Sequence, residues 1–96
     1  MTARELEAAL LLRCVTVARE AATVAQDQCE ANVFRLAAAV IRSQFPQHAT
    51  NLMQASTRYF SAHPNEQLPS AEVVRNGWVS GLPRLRDALS QQLQRE

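Results

Sequence analysis

The chain has no lysine, two glycines, four prolines, two cysteines and one tryptophan. Each scarcity removes a class of structure. Two glycines and four prolines supply too few turn residues for a many-stranded sheet. Two cysteines cannot staple a disulfide scaffold. Cys14 and Cys29 lie fifteen positions apart in sequence that reads as helix. On one straight helix that is roughly 22 Å of axis, far beyond the ~7 Å that a disulfide tolerates. The expectation is two reduced, buried thiols.

Long apolar runs are missing as well. No stretch approaches the ~20 residues of a membrane-spanning helix. The run Ala8–Leu12 is short and follows Glu5 and Glu7, unlike a secretory leader. This predicts a cytoplasmic protein without a membrane partner. Catalytic and cofactor patterns are equally scarce. There is no glycine-rich phosphate loop. The two histidines, His48 and His63, are fifteen positions apart and form no H-x-x-x-H or H-E-x-x-H pair for a metal. Cys14 falls in a stripe of leucine and valine, which hides a thiol and raises its pKa. No nucleophile stands beside a base and an orienting group. The expectation is a protein that is not an enzyme and takes no cofactor or metal.

What is present favours helix. Sixteen of the 96 residues are alanine and eleven are leucine, with 47% hydrophobic and 20% charged overall. Such a chain makes one helical domain over residues 1–96, a small all-α bundle of four to five helices with a long N-terminal amphipathic helix. A domain of this size buries only about 60–65% of its unfolded surface, so sharing a face with another chain is a common remedy.

The first segment runs from about residue 3 to 28. Leu6, Leu10, Cys14, Val17, Ala21 and Val24 recur at spacings of three and four, beside a second stripe of Leu11, Val15, Ala18, Ala22 and Ala25. Thr2 with Glu5 forms a capping box. A break is expected near residues 26–32, where Asn32 can cap. The second segment, about 31 to 44, carries Val33, Leu36, Ala37, Val40 and Ile41, widened by Phe34 and Phe45; Pro46 ends it. The third, about 47 to 62, carries Ala49, Leu52, Met53, Ser56, Tyr59 and Phe60. A polar linker follows, then a short helix at 71–76 capped by Ser70. Trp78 comes next, as a plug over the end of the bundle. The final helix, about 83 to 94, has Leu82, Leu85, Leu89 and Leu93 on its inner side, with Pro83 at N1.

The formal net charge of +1 conceals an uneven distribution. Residues 1–30 sum to −2, residues 31–65 to +3 and residues 66–96 to zero. The middle third holds Arg35, Arg42 and Arg58 and no acid. This suggests contacts with an anion or an acidic partner; Arg35 and Arg42 share a helix face, whereas Arg58 need not join them. All ten cations are arginine, suited to bidentate pairing with carboxylates as well as phosphates. The alanine- and arginine-rich composition points to a GC-rich bacterial or phage genome.

The first helix has more apolar surface than one packing contact requires. The expected function is therefore a non-enzymatic interaction protein: a small adaptor, chaperone or occluding regulator, or a homodimer. Leu6, Leu10, Leu11, Cys14, Val17 and Val24 form its interface in this reading. The alternative is a DNA-binding regulator whose last two helices resemble a helix-turn-helix, with Arg84 and Arg86 reaching base edges. The Gly77–Pro83 stretch is longer and stiffer than the usual turn of that motif.

Overall fold

A computed structural model of the chain describes residues 2–66 and 82–95. The regular elements in these residues are helices: α1 (Ala3–Arg19), α2 (Gln28–Ile41), α3 (Pro46–Ala62) and α4 (Leu82–Gln94). They form a small helical bundle. The expected short helix at 71–76, its Ser70 cap, Trp78 and both glycines lie outside the described residues.

α1 begins at the capping box read from the sequence. The Glu5 amide donates to Thr2 Oγ1 at 3.1 Å, and the Thr2 amide donates to the Glu5 carboxylate at 3.3 Å. The helix is shorter than its apolar repeat implies, ending at Arg19 rather than near Gln28. Alanine-rich sequence would continue the helix on propensity alone, but tertiary hydrogen bonds override it. Asn51 Nδ2 of α3 donates to the Ala18 carbonyl at 2.9 Å, taking an acceptor that one more turn would use. Arg58 donates to the Thr23 carbonyl at 3.1 Å and Arg13 to the Val24 carbonyl at 3.0 Å. Residues 20–27 thus become a non-helical connection held from both sides, and Val24 leaves the helical stripe.

α2 starts four residues before the expected cap. Asp27, not Asn32, is the N-cap, accepting from the Glu30 amide at 2.8 Å. Asn32 is buried instead, with its amide donated to the Gln28 carbonyl at 2.9 Å. Pro46 occupies the first turn of α3, where a missing N–H costs nothing.

The core is continuous across all four helices. α1 contributes Leu10, Cys14, Val15, Val17 and Ala18. α2 contributes Val33, Phe34, Ala37, Ala38 and Ile41, and the expected Leu36 and Val40 are only half-buried. On α3 the buried stripe is Ala49, Leu52, Ala55, Ser56 and Tyr59, rotated so that Met53 is exposed and Phe60 half-buried. α4 buries Leu85, Leu89 and Leu93, as its spacing predicts, and the expected Leu82 at its start is only half-buried. α2 and α3 share the most extensive packing, and α1 lies chiefly against α3.

One ion pair crosses this core's edge. Arg13 Nε of α1 lies 3.2 Å from Glu30 Oε1 of α2, and Glu30 is almost wholly buried. The same oxygen accepts the Gln26 amide at 2.9 Å. Among the described residues no buried side-chain oxygen or nitrogen lacks a partner. No helix among them is long and apolar enough to cross a membrane.

Candidate functional site: an arginine-rimmed groove between α2 and α3

The connection from Arg42 to Phe45 turns the chain back, so α3 runs beside α2. Their outer faces leave an open groove of about 540 Å³. That size lies within the range of small-ligand and peptide-anchor sites. From α2 the groove is lined by Arg35, Ala38, Ala39 and Arg42; from α3 by Ala49, Thr50, Met53, Gln54, Thr57 and Arg58. The lining residues of α3 follow one another at alternating steps of one and three, two adjacent i, i+4 rows on one face of that helix. Small side chains on both walls open the space, and Met53 stands exposed within it.

The three arginines expected to share an anion-binding role all border this groove. Arg58 does join Arg35 and Arg42, although it stands on the other helix. Two of the three are held in place by contacts within the fold. Arg35 Nε donates to Ser56 Oγ at 2.9 Å, and its guanidinium lies 5.6 Å from the centre of the Phe60 ring. Arg58 is braced by the Thr23 carbonyl. Arg42, just past the end of α2, is exposed at the turn end of the groove. Arg35 and Arg58 mark the far end, because Ser56 ties that part of α3 to α2. Among the described residues no carboxylate lines the groove, and none occurs in the sequence from 31 to 65. A guanidinium keeps five N–H donors in a planar fork, so even a partly engaged arginine offers bidentate contact to a carboxylate.

The residues expected at an α1 interface divide into two groups. Leu10, Cys14 and Val17 are buried in the chain's own core, and Leu11 is half-buried against it. Leu6 and Val24 are exposed. Leu12, which the spacing did not single out, is the most exposed large apolar residue described, at 62%. Leu6, Ala9, Leu10, Leu12 and Thr16 border a second, smaller depression, which Arg13, Gln26, Asp27 and Glu30 also line. The apolar width of α1 is therefore used mostly within the fold.

The cysteines also separate. Cys14 is buried, and burial pushes its thiol up to about 12, with Glu30 adding to the rise and Arg13 opposing it. Cys29 is exposed, contrary to expectation. It sits in the first turn of α2. Partial burial first, then Asp27 and Glu30, raise its thiol as well.

At the end of α3, His63 stacks on Tyr59 with centroids 4.3 Å apart, and the Tyr59 hydroxyl donates to the Glu66 carboxylate. That hydrogen bond is the main cause raising the Tyr59 hydroxyl to about 12, with burial second. These contacts fix the end of the helix. Among the described residues no group of three or more histidine, cysteine, aspartate or glutamate side chains is placed to hold a metal ion.

Arg84 and Arg86 lie exposed on α4, flanking buried Leu85. The turn and the first helix of the expected DNA-binding pair fall outside the described residues. No family model matches the chain, and neither a curated protein nor a solved structure does.

Proposed function

We propose that the chain is a non-enzymatic protein-interaction module, an adaptor, chaperone or occluding regulator, that holds its partner in the groove between α2 and α3. The observation carrying this reading is the groove's composition: an apolar floor of Ala38, Ala39, Ala49 and Met53, bordered among the described residues by three arginines and no acid. An apolar floor supplies affinity by losing water, and the charged rim supplies orientation and a faster encounter. Interfaces favour methionine and arginine over lysine, and here every cation is arginine.

Panning a helical peptide library tests the reading, with counter-selection against Ala39→Trp. Ala39 is exposed, so its indole fills the groove without disturbing the core. Selected peptides that bind the wild type and lose Ala39→Trp support the groove as the binding surface. Peptides that bind both proteins equally contradict it.

A second surface has its own observation. Leu6 and Leu12 are exposed on α1, at 46% and 62%, and they give a homodimer a place to form. Light scattering at high micromolar concentration tests it: a clean monomer rules the homodimer out.

A further inference from the structure

We propose that the occupant of the α2–α3 groove is an amphipathic helix of another protein bearing two carboxylates seven residues apart. The inference rests on the groove being a protein-binding site and adds what that site recognises. Arg42 and Arg35 stand seven positions apart along one wall, with Arg58 opposite Arg35. Seven residues span about 10.5 Å of helix axis. A helix lying along the groove repeats that distance when its own acids are at i and i+7, offset by only about 20° around its axis. One carboxylate then faces Arg42, and the other faces Arg35 and Arg58. Apolar residues at i+3 and i+4 of the same helix fall between the acids, over Ala38, Ala39 and Met53. Alanines on the floor allow the close approach of roughly 8–10 Å between axes that helix packing needs.

The chain's own sequence argues against a second copy as the occupant. Its only two acids seven positions apart are Glu20 and Asp27. They sit in the connection between α1 and α2, which is not helical. Nucleic acid fits less well: three arginines are few beside the roughly 6–10 phosphate contacts of a tight binder, and the apolar floor has no use in phosphate binding.

Fluorescence anisotropy with the full chain and three synthetic helices tests the inference. One peptide carries two glutamates seven apart. A second has the same composition with the glutamates five apart, on different faces. In the third the seven-spaced glutamates are glutamine. The seven-spaced glutamate peptide is expected to bind about five- to tenfold more tightly than either control at low salt. That advantage is lost in Arg42→Glu, and all binding is lost in Ala39→Trp and in Thr57→Trp, which fills the groove from the opposite wall. Equal binding of the seven- and five-spaced peptides, both lost in the filled variants, overturns the spacing and leaves the groove reading standing. Binding that survives both filled variants, or no binding to the wild type, overturns both. A wild-type dimer that Ala39→Trp dissociates overturns the assignment to another protein.

Discussion

Arg35 of α2 donates its Nε hydrogen to the wholly buried hydroxyl of Ser56 on α3, at 2.9 Å. One bond thereby joins the two walls of the groove and aims a guanidinium along its edge. Ser56→Ala leaves the hydrophobic contacts in place and removes this tether. The expected cost is about 1 kcal/mol of stability, measured as a fall in the urea midpoint at unchanged slope. Acidic-peptide affinity falls about two- to threefold, because Arg35 must then be ordered on binding. A variant with unchanged stability and affinity shows that the tether does neither job.

The Arg13–Glu30 pair clamps α1 to α2, and the same carboxylate holds the Gln26 amide of the connection between them. Glu30→Ala removes the acceptor of both Arg13 Nε and the Gln26 amide. Arg13→Ala strands an almost buried carboxylate. Each substitution is expected to cost about 1–3 kcal/mol. The double variant should cost less than the sum, since both changes break one network. Additive losses in chemical denaturation contradict a shared clamp.

The two thiols should behave differently. Cys29 is expected to react with a maleimide or an iodoacetamide in the native state, and Cys14 only when the fold opens. Stability against pH adds a sign. The folded Cys14 thiol titrates higher than an ordinary thiol, so the folded state keeps a proton that the unfolded chain releases. Its contribution is fully present below the ordinary thiol pKa and is lost as pH rises from there to about 12. The loss is at most about 1.4 kcal/mol per pH unit. Tyr59 acts in the same direction through its bond to Glu66. Cys14→Ala should flatten the alkaline fall in stability, whatever it costs at neutral pH. An equally steep fall in the variant removes Cys14 as its cause.

Leu12 stands on the open face of α1, away from the core. Leu12→Glu should leave thermal stability within about 0.5 kcal/mol of the wild type. If the α1 face joins two copies, the same change converts a dimer to a monomer in light scattering. Phe34→Ala, by contrast, is expected to cost about 3–5 kcal/mol, since that ring is fully buried in α2.

The helices were legible from periodicity where one face alone met the core. α4 is the clearest case: Leu85, Leu89 and Leu93 are buried as spaced. The capping box at Thr2 and the proline start of α3 were legible too, because their chemistry is local. The end of α1 was not. Ala21, Ala22, Val24 and Ala25 continue a helical pattern, and what stops the helix is Asn51, Arg58 and Arg13, up to 35 residues away in sequence. No local rule contains such partners.

The groove was half legible. The acid-free middle third is visible as charge arithmetic, and Arg35 and Arg42 share a face by spacing. That Arg58 reaches the same groove depends on the rotation of α3, which places Leu52, Ala55 and Ser56 inward and Met53 outward. Conversely, the wide apolar face of α1 read as surplus for a partner. Leu10, Cys14 and Val17 are instead consumed by α1's place in the bundle, leaving Leu6 and Leu12 outside.

The most direct test of the groove is a charge swap between Arg42 and the seven-spaced acidic peptide. Arg42→Glu should weaken binding of the glutamate peptide, and a peptide with arginine at the facing position should bind Arg42→Glu better than it binds the wild type. Restoration by the swap places the peptide carboxylate against residue 42. If Arg42→Glu binds the acidic peptide as well as the wild type does, residue 42 plays no part in recognition and the match between two carboxylates and the two ends of the groove is overturned.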